Sequence, residues 1–211
     1  MNLNDSIRIM ELLASKICHD LISPVGAVSN GVEVLEEIGA EDDVIELIGF
    51  SAAQANAKLR ALRLAYGLGG SDDSIRAEEV HKIFGDFIAG ENRLTQDWDP
   101  YADLGIPQCE GFAKIMLCAL ILASEALPKG GILRIKADGD AMIVYGEGEN
   151  AHFREGYVHA LEHSIAIDNI SPKLVHAYVT GLLSTNYGFH IAVDESQDNF
   201  ISLRLTTANV S

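Results

Sequence analysis

The sequence predicts an α+β chain, a long helical hairpin followed by a sheet domain, and three observations carry that reading. Apolar side chains recur every three or four residues up to Tyr66, after which short β-rich runs alternate with helical stretches. The segment GLGGSDDS, residues 67–74, separates the two patterns. The 211 residues suffice for two small compact units, each with its own core, and 48% hydrophobic against 22% charged residues is the composition of an ordinary folded protein. The expected division is residues 1–70 for the hairpin and 71–211 for the sheet domain.

In the first helix, residues 5–38, the stripe reads Ile9, Leu13, Ile17, Leu21, Val25, Val28, Val32 and Leu35, with Asp5 as the expected cap and Gly39 as the stop. The acidic group Glu41, Asp42, Asp43 suits the first turn of a second helix running to Tyr66, whose inner face is Val44, Leu47, Ile48, Ala52, Ala55, Leu59, Leu62 and Ala65. Two helices bury too little apolar surface to stand alone, so a second copy completing a four-helix bundle is expected. Beyond the linker, the spacing predicts helices over 77–89 and 111–127, a strand over 94–98, and a hairpin of 132–137 with 141–145 around Asp138-Gly139-Asp140. Helices are expected at 153–163 and at 172–183, the second capped by Ser171 with Pro172 in its first turn, and a last hairpin pairs 189–193 with 200–205. This order favours one mostly antiparallel sheet with helices on one face.

With 15 basic against 31 acidic residues the formal charge is −16, which disfavours binding to nucleic acid or to anionic lipid. No basic-then-apolar leader opens the chain, and no apolar run approaches the roughly 18 residues of a spanning helix, so a cytoplasmic address is expected. Cys18, Cys109 and Cys118 show no paired spacing and are read as small buried hydrophobes; Trp98 and the tyrosines are read as core.

The chemistry concentrates in Cys18-His19-Asp20-Leu21-Ile22-Ser23-Pro24. At about 100° per residue, His19 falls nearly opposite the centre of the apolar stripe and faces water. Its neighbours on that face are Ser15, Lys16, Ile22, Ser23 and Gly26, several small enough to admit another protein. A neutral imidazole is nucleophilic near neutral pH and leaves phosphorus readily. Pro24 removes a backbone donor in mid-helix and should kink it one turn beyond His19, at a cost of about 3 kcal/mol.

The string HDLISPVGAVSNGVEVL resembles the phosphoacceptor box of two-component dimerisation domains, and with LRLAYG (62–67) and ALPKGG (126–131) it is most similar to the ChpT-type histidine phosphotransferases of alphaproteobacteria. The resemblance implies a dimeric four-helix bundle followed by a degenerate kinase-type ATPase α/β sandwich. It also implies His19 as an acceptor passing phosphoryl groups between receiver domains of a hybrid kinase and of response regulators, a homodimer, and no cofactor of its own, Mg²⁺ being held by the receiver. In that scheme Lys16 meets phosphate or the acidic receiver pocket, or is simply solvated. Asp20 orients the imidazole, accepts its proton, or contacts the partner, while Ser15, Ile22, Ser23 and Gly26 line the docking face.

An ATP-dependent kinase would need an Asn on the first long helix of the sheet domain and an Asp before a GxG. Aligned on LPKGG, those places hold Leu122 and Val144, and the stretch 167–171, where a second glycine box is expected, has no glycine. The kinase, and a non-catalytic adaptor that binds receivers without transfer, remain the alternatives. His159 and His163, four apart on an expected helix, form a possible metal pair lacking a third ligand. His81, His152, His176 and His190 have no patterned partners.

Overall fold

A computed structural model describes residues 2–39, 41–68, 74–90 and 93–207. Helix α1 spans Leu3–Ile38 and α2 spans Asp42–Tyr66. The cap of α1 is Asn2 rather than Asp5: Asn2 Oδ1 accepts from the Asp5 amide at 2.9 Å, and Asp5 Oδ2 accepts from the Asn2 amide at 3.0 Å. Asp5 is thus the reciprocal member of a capping box. Helix α1 runs unbroken through Pro24. Gly31 of α1 is buried where the helices touch, since a Cβ there would sit 2.5 Å from Ile48 Cγ1.

The sheet domain follows as α3 (Ala77–Ile88), β1 (Leu94–Gln96), α4 (Phe112–Glu125), β2 (Gly131–Asp138), β3 (Ala141–Glu147), α5 (Tyr157–Leu161), α6 (Val175–Asn186), β4 (Phe189–Gln197) and β5 (Phe200–Thr207). Strand order is β1-β2-β3-β5-β4, with β1 parallel to β2 and every other pair antiparallel, as the mostly antiparallel expectation requires. Leu133, Met142, Val144, Leu203 and Leu205 form the inward face against α4, while α6 packs on β4. The outward face carries Arg134, which reaches Asp97 at 3.1 Å and Glu147 at 2.9 Å.

Two helices differ from expectation. The one expected at 153–163 is confined to Tyr157–Leu161, entered through Gly156 at φ +81°. The one expected from Pro172 starts at Val175, because Ser171 to Leu174 form a hydrogen-bonded turn, Leu174 N to Ser171 O at 2.9 Å.

The expectation of separate cores also needs correction. Ile9 of α1 and Ala61, Leu64 and Ala65 of α2 belong to the same buried cluster as α4, α6 and the sheet. Lys114, only 1% exposed, lies inside that junction and donates to the carbonyls of Leu64 and Ala65 at 3.1 Å and of Gly67 at 2.6 Å. These are orphan acceptors at the C-terminus of α2, so one buried cation caps the helix and fastens it to α4. Burial lowers the Lys114 pKa. The expected boundary near residue 70 lies outside the described residues.

Away from this junction little of the hairpin is buried among the described residues, Gly31 and Ser51 excepted. Val25, Val32, Leu47 and Leu59, assigned by periodicity to inner faces, are exposed in the single chain, as are Ile22, Ile45 and Phe50. Cys18 and Cys109 are exposed and Tyr101 is solvated, against their expected burial, whereas Cys118 and Trp98 are in the core.

Candidate functional site

His19 projects from the middle of α1 with its side chain 85% exposed, as its helical phase predicts. Its Nδ1 lies 3.4 Å from Asp20 Oδ1, so adjacent residues meet despite their angular separation on the helix. Asp20 is held in turn, because Lys16 Nζ donates to its two oxygens at 2.8 and 2.6 Å. The spacing of Lys16 and Asp20, one helical turn apart, places them on one face and was legible in the sequence. In the single chain Lys16 is thus engaged by Asp20, and it also lies 3.6 Å from Glu125 Oε1, at the last residue of α4. Glu125 Oε1 is 3.1 Å from Nδ1 of His176, a residue of α6 that is 2% exposed.

A line of ionisable side chains thus runs from the interior of the sheet domain to the exposed imidazole: His176, Glu125, Lys16, Asp20, His19. Burial by itself would raise the Glu125 carboxyl, but His176, Lys16 and Arg154 together hold it below the usual carboxylate value. Behind His176 the ring of Tyr66 stands 5.3 Å away, and among the described residues the Tyr66, Tyr157 and Thr180 hydroxyls and both His176 ring nitrogens are buried without a well-formed hydrogen bond. Burial pushes both tyrosines well above their ordinary pKa.

Beside His19 a cleft of about 390 Å³ opens between α1 and the sheet domain, lined by Ser15, Lys16, His19, Glu125, Arg154, Pro172 and Lys173. Ile22, Ser23 and Gly26 stay outside it, further along the helix. Ile22 and Ser23 are exposed, and a methyl added at Gly26 would meet nothing within 4 Å. Glu125, Arg154, Lys173 and His176 were not singled out from the sequence. They lie more than a hundred positions from His19; Glu125 borders ALPKGG and closes the apolar run FAKIMLCALILASE, but that spacing gives no sign that it reaches His19.

The places at which a nucleotide site was sought are structural. Leu122 and Val144 are fully buried in α4 and β3. Gly148 packs on the backbone of Gly130, where an added Cβ would come within 2.2 Å of the carbonyl oxygen. In the stretch 167–171, the carbonyls of Ile167 and Asp168 accept from the Arg8 guanidinium at 3.2 and 2.9 Å, which ties α1 to the sheet domain. The metal pair dissolves: α5 ends at Leu161, His159 Nδ1 meets Ser164 Oγ at 2.9 Å, and His163 Nε2 meets the Tyr178 carbonyl at 3.1 Å. Among the described residues no three metal-ligating side chains converge.

Residues 77–199 match the family described as histidine phosphotransferase C-terminal domain. Over 195 residues the chain is 29% identical to protein phosphotransferase ChpT of Brucella abortus (strain 2308), covering 90% of this chain and 91% of that protein. Among solved structures it is similar to one of a bacterial phosphotransferase, with a TM-score of 0.76, 26% identity and 97% of each chain covered. A weaker likeness is to histidine kinase AdeS of Acinetobacter baumannii, with a TM-score of 0.43, 13% identity, 90% of this chain and 98% of the other.

Proposed function

We propose, for a chain that belongs to the histidine phosphotransferase C-terminal domain family, that His19 is the residue carrying the phosphoryl group between receiver-domain aspartates. The activity is histidine phosphotransfer in a phosphorelay; the route through this chain's residues is our reading. The observation that supports it most is an exposed imidazole whose Nδ1 is backed by a carboxylate already fixed by Lys16.

A proton on Nδ1 held toward Asp20 leaves the Nε2 lone pair pointing to solvent. Nε2 attacks the phosphorus of a receiver aspartyl phosphate in line, the N–P bond forming as the P–O bond breaks and the aspartate leaving as a carboxylate with the bonding pair. The imidazolium produced is stabilised by Asp20, and transfer to the next receiver reverses these steps. Positioning and charge neutralisation supply the catalysis, as is general for phosphoryl transfer, and the receivers bring the Mg²⁺. ATP is not the donor in this reading, in keeping with aliphatic Leu122 and Val144 where nucleotide ligands would stand. The partners are the receiver of a hybrid histidine kinase and those of response regulators, met on the face of Ser15, Ile22, Ser23 and Gly26.

The exposed apolar set Val25, Val32, Leu47, Phe50 and Leu59 is the seam of a homodimer, two hairpins closing one four-helix bundle. The protein works in the cytoplasm with its receivers. Among the described residues no helix is long and apolar enough to cross a membrane.

The test is incubation with a radiolabelled phospho-receiver, and separately with labelled ATP, of the native protein and of His19→Ala. Acid-labile label from the receiver, absent in the variant, is the expected result. Label that persists in His19→Ala overturns the acceptor assignment, label from ATP makes the protein a kinase, and tight receiver binding without label makes it an adaptor.

A further inference from the structure

We infer that Arg154 and Lys173 bind the phosphoryl group once it is on His19, so that the sheet domain supplies the positive charge the acceptor helix lacks. The inference rests on the reading of His19 as acceptor. Both side chains line the cleft that His19 lines. They come from separate segments, Arg154 ahead of α5 and Lys173 in the turn before α6, and only the packing of the sheet domain against α1 brings them together there.

Their place in the cleft singles them out. With 15 basic against 31 acidic residues, positive charge is scarce on this chain. The third cation of the cleft, Lys16, is occupied by Asp20 and Glu125. Arg154 and Lys173 are exposed and make no hydrogen bond or ion pair among the described residues; Arg154 acts on Glu125 only through its field. A phosphoryl group adds a charge of roughly −1.5 to −2 near neutral pH. On His19 it would stand beside the Asp20 carboxylate and near Glu125, an unfavourable place for a dianion unless cations approach it. A guanidinium offers paired donors matched to phosphate oxygens, and an ammonium adds a compact charge.

The measurement needs no receiver. The protein is loaded with phosphoramidate, a small-molecule phosphodonor, and the phosphohistidine signal is titrated by ³¹P NMR, with His19→Ala as the blank for other histidines. Two cations beside the group should lower its acid dissociation midpoint, so Arg154→Gln with Lys173→Gln should raise it by about one unit, roughly tenfold in the constant. The matched control Lys82→Gln with Lys129→Gln, which removes equal charge elsewhere, should leave it in place, and Arg154→Lys should recover part of the shift. A His19 signal that titrates alike in the native protein and the double variant overturns this inference alone. No His19 signal in the native protein overturns the acceptor assignment and the inference with it.

Discussion

At the base of the hairpin Ile9, Ala61, Leu64 and Ala65 are buried against the sheet domain, while toward its tip Val25, Val32, Leu47 and Phe50 are equally apolar and exposed. The same period of hydrophobic residues therefore serves two ends. At the base it joins two parts of one chain, and at the tip it lies exposed in the single chain, the surface the proposed homodimer would cover. His19 falls between the two regimes on α1. Its helix is anchored on the N-terminal side by Arg8 and Ile9, and its solvent face is free.

The sharpest way to break this comparison is to place charges at the tip. Leu47→Asp with Leu59→Asp should convert a dimer to monomers, because about 2 kcal/mol per buried leucine is lost in both copies. At about 1.4 kcal/mol per tenfold, even one such position counted twice weakens association roughly a thousandfold. Sedimentation velocity reads the change. An unaltered mass would mean that the tip is covered by something other than a second copy.

The base can be tested at Lys114. Lys114→Met keeps the apolar stem but leaves the carbonyls of Leu64, Ala65 and Gly67 without their donor, a loss of about 2–3 kcal/mol at the unpaired-acceptor cost. A lower urea midpoint with an unchanged sedimentation mass would separate the two ends experimentally.

A smaller effect follows from Glu125. Its carboxyl is held below the ordinary value, so the stability it contributes is complete above about pH 4.3 and is lost as pH falls through the lowered value. Glu125→Gln removes that contribution at neutral pH and should flatten the acid limb of a stability profile measured by urea unfolding at pH 6 and pH 3. An unchanged acid limb would remove Glu125 from the charge line. The smallest effect is chemical: Cys18 and Cys109 should react promptly with a thiol reagent. Cys118, buried and pushed up to about 12, should react only after unfolding.

The hairpin and the orientation of His19 were legible because each depends on a local period or a local breaker. The beginnings of α5 and α6 were not. Ser171-Pro172 suits a helix start and a turn alike, and the burial of Ile170 and Leu174 decides for the turn. Glycine at position 156, which shortens α5, acts through a positive φ that a pattern of apolar residues does not reveal. At the site, Lys16 and Asp20 carried a readable spacing, whereas Glu125, Arg154, Lys173 and His176 reach His19 only through the packing of α4, α5 and α6. Periodicity placed Val25, Val32, Leu47 and Leu59 on apolar stripes, and their exposure in the single chain is what a hairpin expected to need a second copy would leave.

Lys16 answers to two carboxylates that belong to different parts of the protein. That shared dependence constrains inheritance. A lineage that replaces the lysine leaves Asp20 and Glu125 without their common partner, so the change should persist only where one of those positions changes too. Descendants of this sequence should therefore vary at 16, 20 and 125 in concert, and a chimera joining the hairpin of one relative to the sheet domain of another should work best when this trio comes from a single parent.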